Sequence, residues 1–346
     1  MTVHAIDPIK DPRWADFVRN HPAASVFHTP AWLEALRQTY GYEPIVLTTS
    51  PSNSPLSDGI AFCRVCDWFS GARLVSLPFS DHCAALTAGA KQTDNLLLSL
   101  CETLDFKQWK YMEIRMAGTQ LEECGKFDKC KAFLLHKLDL RDTVDNIFDN
   151  LHPDCVQRKI QRAAREKLTQ HEGRSEELLG QFYDLLLMTR RRHGLPPQPL
   201  AWFRNLIACC GDKVRIRIAS KHGRPIAGIL TLQHNKTLVY KYGCSNQEFK
   251  QLGGTQMLLW QAIQDGKAEQ LSELDLGRSD LDHSGLIHFK DRWGATRTEL
   301  VYLRYPRQRF RSLREARQGG ISKRVFAHMP DSLLSASGRV LYKYMG

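Results

Sequence analysis

The segment 214–245, VRIRIASKHGRPIAGILTLQHNKTLVYKYGCS, constrains the fold more than any other part of the chain. Its apolar residues are those of β-strands, and Lys221-His222-Gly223-Arg224 supplies a tight hairpin turn. A third strand, TLVYKYG, ends at Gly243. Three strands joined by short turns make an antiparallel meander. The polar turn 250–255 (KQLGGT), a helix over 256–268 (QMLLWQAIQDGKA) and the strand LSELDL come next. A strand–helix–strand passage crosses over to a parallel neighbour, so meander and crossover together require a mixed sheet.

The first half of the chain repeats this order without repeating the residues. Thr29 caps a helix with Pro30 at its first position, and Gly41 closes it. Strands over 44–49 and 60–69 flank a polar loop, and a third strand over 73–77 runs into a polar turn. A helix over 93–106 and strands over 111–116 and 131–140 follow. In the second half the matching pieces are helices over 175–210, the three strands of the meander, the helix 256–268, and strands over 272–276 and 297–305. The chain therefore reads as α/β (α+β) with an internal structural duplication.

Chemistry-bearing residues crowd the exit of the penultimate strand, LDLGRSDLDHSGLIHFKDRWGA (274–295). Gly277 ends the strand, Arg278 and Asp280 stand at its exit, and Ser284 is placed to cap a short helix that Gly294 stops. Strand-to-helix turns are where open α/β sheets place their ligands. Lys290 lies on that helix among residues shaped for burial. Its ammonium either faces a developing oxyanion or snorkels to water along an apolar stem. Arg278 and Asp280 either serve an acceptor, with Asp280 as candidate base, or pair with each other.

Other polar clusters are scattered more widely. Asp81 and His82, in the turn SDHC, are either an acid–base pair at an acceptor-binding lip or ordinary turn residues. The helix VQRKIQRAAREKL (156–168) places Arg158, Arg162 and Arg165 on one side, where they grip phosphate or face water. A long helix ends in Arg190-Arg191-Arg192, more cation than its dipole needs. Cys63 and Cys66 form a lone C-x-x-C in a strand, with no second pair to complete a zinc site, so no metal is expected.

The formal charge is +11, which points to anionic partners. From Pro306 onward there are nine Lys or Arg against two acidic residues, so most of the excess sits in the tail and DNA binding by the body is not expected. The end of the tail, with Leu333, Leu334, Val340, Leu341 and Tyr344, reads as an amphipathic helix suited either to an anionic membrane surface or to the protein body. No run of eighteen apolar residues occurs, the N-terminus lacks an apolar signal core, and ten cysteines fit a reducing compartment, so a cytoplasmic location is expected.

The basic helix, the Thr189–Gly194 helix end, the Tyr240-Lys241-Tyr242-Gly243 strand exit, Asp275-Leu-Gly-Arg278-Ser-Asp280 and Phe289-Lys290-Asp-Arg-Trp293-Gly294 together resemble the GNAT acyltransferase superfamily. More narrowly, they resemble the Fem-type peptidoglycan aminoacyltransferases and Fem-like N-acetyltransferases of polysaccharide-producing bacteria. The resemblance spans about residues 25–306. It implies two tandem GNAT-like domains with mixed sheets, 1–150 and 151–306, followed by a basic tail, 307–346. It also implies transfer of an acyl or aminoacyl group to an amine of a cell-wall or exopolysaccharide precursor. Lys290 then stabilises the transition state with Arg278 and Asp280 nearby. Arg192 contacts phosphate of a nucleotide- or lipid-linked sugar, among acceptor residues that include Arg158, Arg162, Asp81, His82 and Tyr242. Gln251, Gly253, Gly254 and Thr255 fall where GNAT enzymes cradle the donor, here acyl-CoA or aminoacyl-tRNA as co-substrate, with no tightly bound cofactor. A non-catalytic scaffold that binds a sugar nucleotide, and an RNA-binding protein acting through the tail, are the competing classes.

Overall fold

The computed structural model describes residues 2–67, 71–103, 109–117, 126–306 and 326–344; segment 307–325 of the basic tail lies outside them. Among the described residues twelve strands form a single mixed sheet. They are β1 (His4–Ile6), β2 (Glu43–Thr48), β3 (Ile60–Asp67), β4 (Gly71–Ser76), β5 (Met112–Ala117), β6 (Asp128–Asp139), β7 (Thr169–Gly173), β8 (Val214–Lys221), β9 (Arg224–His234), β10 (Thr237–Ser245), β11 (Glu273–Asp280) and β12 (Thr296–Tyr305). Their spatial order is β1-β2-β3-β4-β5-β12-β6-β11-β10-β9-β8-β7.

The duplication is present in the pairing. β2, β3 and β4 form one antiparallel meander and β8, β9 and β10 another. A helix, α3 (Ala90–Thr103) or α8 (Gly254–Ala268), then carries the chain to a parallel neighbour, β5 beside β4 and β11 beside β10. The last strands of the two halves trade places. β6, from the first half, pairs antiparallel with β11, while β12, from the second, pairs with β5, and the two lie against each other from Thr296↔Lys137 to Arg304↔Asp128.

The remaining helices are α1 (Pro12–Asn20), α2 (Pro30–Tyr40), α4 (Val144–Asp149), α5 (Arg158–Arg165), α6 (Glu176–Arg192), α7 (Leu200–Cys210), α9 (Ser284–Asp291) and α10 (Asp331–Tyr344). Local signals placed several of them. Thr29 accepts the N–H of Trp32 at 3.2 Å to open α2, and Gly41, at φ +72°, ends it. Ser175 opens α6 in the same way, with Glu176 and Glu177 in its first turn. Ser284 is not a cap: it is the first residue of α9, and His283 before it makes no side-chain capping bond. One core joins α1, α2, α6, α7 and α10 through Trp14, Phe27, Trp32, Phe182, Trp202 and Leu334. A second buries α8 and the turn after α9 around Leu258, Leu259, Leu274 and Trp293, and a third seats α3 with Leu96, Leu97 and Leu100.

The tail's final helix packs on the body by one face. Leu334 and Tyr342 are buried, and Tyr42 donates its hydroxyl to the carbonyl oxygens of Tyr342 and Lys343 at 2.9 and 3.1 Å. Arg191 pairs with Asp331. Leu333, Val340 and Leu341 face outward, so the helix has a docked face and a second, exposed apolar one. Gly338 lies so close to the Pro197 carbonyl that a Cβ would collide with its oxygen. Gly338→Ala is expected to cost about 1–3 kcal/mol through overpacking. Amide exchange should rise first in α10, and wild-type exchange rates in that variant would refute the docking.

Candidate active site

β10 and β11 pair only from Thr237↔Glu273 to Val239↔Asp275, although both run several residues further. β10 breaks register between Tyr240 and Tyr242, and β11 between Asp275 and Arg278. The second break turns on Gly277, whose φ of +72° suits a residue without Cβ and whose missing side chain leaves room for the Asp81 carboxylate. Beyond it the two strands diverge. Side chains from three other parts of the chain gather at this divergence: the turn after β4, helix α9 and strand β12.

Lys290 enters from α9 on the face it shares with Ile287, one turn earlier, and is 3% exposed. Its ammonium donates to the carbonyl oxygens of Gly277 at 2.8 Å and Arg278 at 2.7 Å. An ammonium has three donors, so one is left over. Burial pulls the amine down to about 8, against the opposing pull of Asp81 and Asp275. The snorkelling alternative is therefore not what the chain adopts.

Asp81 comes from the turn after β4, in the other half of the sequence. It accepts from the Lys241 ammonium at 2.9 Å, with the Arg278 guanidinium 3.9 Å away. Burial pushes its carboxyl up, but Lys241 and Arg278 outweigh that and hold it at about 2. Lys241 is itself enclosed, its ammonium 5.0 Å from the Phe27 ring centroid and 5.8 Å from that of Trp32. Next in sequence, His82 Nε2 bonds Asp275 Oδ2 at 2.7 Å. The turn is pinned from β5 and β12: Arg115 donates to the carbonyls of Leu77 and Ser80, and Tyr302 donates to that of Asp81 at 3.0 Å. Arg278 stacks on Phe133 at 4.3 Å and donates to the Tyr302 hydroxyl, so it does not turn to Asp280.

A cleft of about 230 Å³ opens on the α8 side of the divergence, with Arg192, Gly254, Thr255, Tyr240 and Phe289 among its walls. Helix α8 starts here without a side-chain cap. Gly253 before it, at φ +81°, passes so close to the Lys159 carbonyl that a Cβ would collide with it. Lys159 and Lys250 also line an adjoining open trough of about 580 Å³ with Arg158, Arg162, Arg165, Gln251 and a single carboxylate, Asp154. Residues holding a metal are not found: among the described residues no three His, Cys, Asp or Glu side chains come together for one.

The sequence-derived candidates thus fall into groups. Lys290, Arg278, Asp81 and His82 meet at the divergence; Arg192, Gly254 and Thr255 line the cleft; Gly253 forms the turn into α8; Arg158, Arg162 and Gln251 line the trough. Asp280 lies exposed at the end of β11. Tyr242 is buried in the core, accepting from Trp202 Nε1 at 2.8 Å, and it is Tyr240 that faces the cleft. Lys241, Asp275, Tyr302 and Arg115 were missed. An aspartate between Leu274 and Leu276, in a strand buried on both faces, was the signal that could have found Asp275.

Residues 156–291 match the acetyltransferase (GNAT) domain family. No curated protein matches the chain in sequence. The fold is that of FemX, with TM-score 0.70 and 13% identity over 89% of this chain and 98% of that one. It is also similar to L-PGS from Bacillus licheniformis, at TM-score 0.56 and 13% identity over 87% and 93% of the two chains. A tandem GNAT protein from the clavulanic acid biosynthesis pathway gives 0.53 and 10% over 88% and 98%. A GNAT-type acetyltransferase domain in residues 156–291 supports an acyltransferase. The architecture of the chain is Fem-like, with a GNAT acetyltransferase domain in the second half.

The ion pair at the divergence is expected to carry measurable stability. Asp81→Ala strands the enclosed Lys241 ammonium and should cost about 3–5 kcal/mol, most of it recovered by adding Lys241→Met. Because the Asp81 carboxyl is held low, its contribution is complete above the ordinary carboxylate range and is lost as pH falls toward 2. Urea titrations of the four-member mutant cycle check this; additive effects would show that the pair is not coupled.

Proposed function

We propose that the chain transfers an acyl or aminoacyl group to an amine of a cell-wall or exopolysaccharide precursor, with Lys290 stabilising the oxyanion of the tetrahedral intermediate. The observation that carries this reading is the Lys290 ammonium itself, buried, fixed by two carbonyl oxygens and left with one N–H to donate. A donor of this kind, oriented before the reaction, costs no reorganisation when charge develops on the substrate.

The donor is assigned to the cleft at the start of α8, where the uncapped first turn and the Gly253-Gly254-Thr255 backbone suit the pyrophosphate of acyl-CoA, with Gln251 beside them. Aminoacyl-tRNA is the second reading, favoured by one feature. The trough carries five cationic side chains against one carboxylate, a surface suited to a longer polyanion. The acceptor approaches from the Asp81, His82 and Arg278 side with Asp280 at the rim, and Arg192 at the cleft holds its phosphate. The proposed units remain 1–150 and 151–306, tied by exchanged strands. Among the described residues no helix is long and apolar enough to cross a membrane. We place the chain in the cytoplasm, with the outer face of α10 and the basic tail resting on an anionic inner-membrane surface where lipid-linked sugars reside.

Incubating the purified chain with labelled acetyl-CoA or alanyl-tRNA and a panel of amino sugars and peptide amines tests the reaction. Lys290→Ala is expected to lower kcat by about 10²–10³-fold with an intact fold. The oxyanion role needs the protonated amine, so wild-type kcat should fall as pH rises through about 8. Activity undiminished in Lys290→Ala would remove the assignment.

A further inference from the structure

The acyl-transfer reading leaves the acceptor's proton without a destination. Asp280 is exposed at the strand end, and Asp81 is already committed to Lys241. A third group is better placed. His82 and Asp275 are 193 positions apart in sequence, yet their side chains bond at 2.7 Å across the junction of the two halves. Asp275 is 2% exposed, and its other oxygen accepts the Gly277 N–H at 2.7 Å. Burial pushes that carboxyl up, but the His82 hydrogen bond and charge more than offset it, so it stays ionised.

An ionised carboxylate on Nε2 sets the tautomer: the proton sits on Nε2 and the lone pair on Nδ1. Among the described residues Nδ1 has no hydrogen-bond partner, and it is not among the buried unsatisfied atoms. The His82 side chain is 13% exposed. Phe27 stands edge-on to the ring at 5.4 Å and fixes its plane. A dyad that only joined the two halves would need no open nitrogen.

The dyad is also tied to the oxyanion donor through one residue. Gly277 gives its N–H to Asp275 and its carbonyl to Lys290. A proton acceptor and a charge stabiliser are thus held in fixed relation by the same turn of backbone. The charged groups around His82 are Asp81 beside it in the chain and Asp275 on β11; His28, near Phe27, is titratable too, but burial pulls it down to about 4 and keeps it neutral. Lys241, Arg278 and Lys290 surround the adjoining Asp81.

We propose that His82 is the general base of the transfer and Asp275 the residue that orients it, an inference that rests on the acyl-transfer reading above. The acceptor nitrogen forms its bond to the donor carbonyl carbon while its proton passes to His82 Nδ1. The bond from that carbon to the carrier sulfur or oxygen then breaks, and Nδ1–H returns the proton to the departing atom. Asp275 stabilises the imidazolium between the two steps. Donor and acceptor are the only reactants, and the imidazole ends as it began.

Wild type, His82→Gln and Asp275→Asn are assayed from pH 5 to 9 with acetyl-CoA or alanyl-tRNA as donor and glucosamine or a lysine-ended peptide as acceptor. Supporting results are a loss of about 10²–10⁴-fold in kcat/KM for His82→Gln, with the rising limb of the pH profile gone. In Asp275→Asn that limb should survive but move to lower pH, because the imidazolium loses its carboxylate. A merely structural joint would lower stability and leave the profile's shape alone. Wild-type protein treated with diethylpyrocarbonate provides a measurement that requires no variant to fold. Carbethoxylation of His82, located by peptide mass spectrometry, should abolish turnover. Transfer undiminished in His82→Gln, a rising limb unchanged in that variant, or full turnover by protein modified at His82 would overturn the base. Wild-type protein that transfers from neither donor would instead overturn the acyl-transfer reading.

Discussion

One backbone turn at Gly277 holds the site together. Its positive φ breaks the ladder between β11 and β6, and it aims the N–H and C=O of a single residue at two different side chains. With a regular strand here, β11 would keep its register with β6, and the successive carbonyls of Gly277 and Arg278 would point to opposite sides of the strand rather than converge on the Lys290 ammonium. A side chain at this position would also crowd the Asp81 carboxylate. The same bulge therefore sets the position of the cation, the orientation of the carboxylate under His82 and the room for the ion pair beside them.

The charges assembled there are expensive to bury and are kept because each is answered. Desolvation is the largest influence on Asp81, Asp275 and Lys290 alike, and in the two carboxylates opposite charge and hydrogen bonds overcome it. In Lys290 they do not, so its amine stays depressed. The difference has a structural origin. Asp81 accepts from a full positive charge on Lys241, whereas Lys290 meets only carbonyl dipoles directly and feels the carboxylates from further off. A cation satisfied by dipoles alone keeps more of its field for a substrate oxygen than one neutralised by a salt bridge.

Much of the fold was legible because its signals are local. Thr29-Pro30 and Gly41 bound α2, Ser175 opens α6, and the turns of the second meander sit where their residues require. The short strands β1 and β7 and helix α1 were not read, since three to nine residues carry too little periodicity to separate from loop. The exchange of β6 and β12 was not readable for another reason. Both strands mix apolar with charged residues and are of similar length, and only the three-dimensional gap between β5 and β11 decides which of them fills which place. At the site, the apolar neighbours of Lys290 singled it out but left burial and snorkelling both open, and the partners of Asp81 and His82 were not readable at all. A bond between positions 82 and 275 leaves no trace in local pattern. The three arginines closing α6 show the same limit: Arg190 braces the Gln198 amide, Arg191 holds α10, and only Arg192 reaches the cleft.

Strand exchange changes what the duplication can do. With β12 laid between β5 and β6, and β6 between β12 and β11, the halves are joined by continuous backbone hydrogen bonding in addition to the side-chain core shared by α1, α2, α6 and α7. Side-chain interfaces between domains open and close readily; a ladder does not. The turn that brings Asp81 and His82 is pinned to β5 through Arg115 and to β12 through Tyr302, and β12 is locked beside β6, which is locked beside β11. Groups from opposite ends of the sequence are thereby fixed within one rigid frame before any substrate arrives. For a reaction whose barrier falls through orientation and electrostatic preorganisation, that arrangement replaces the closure step that two hinged domains would need.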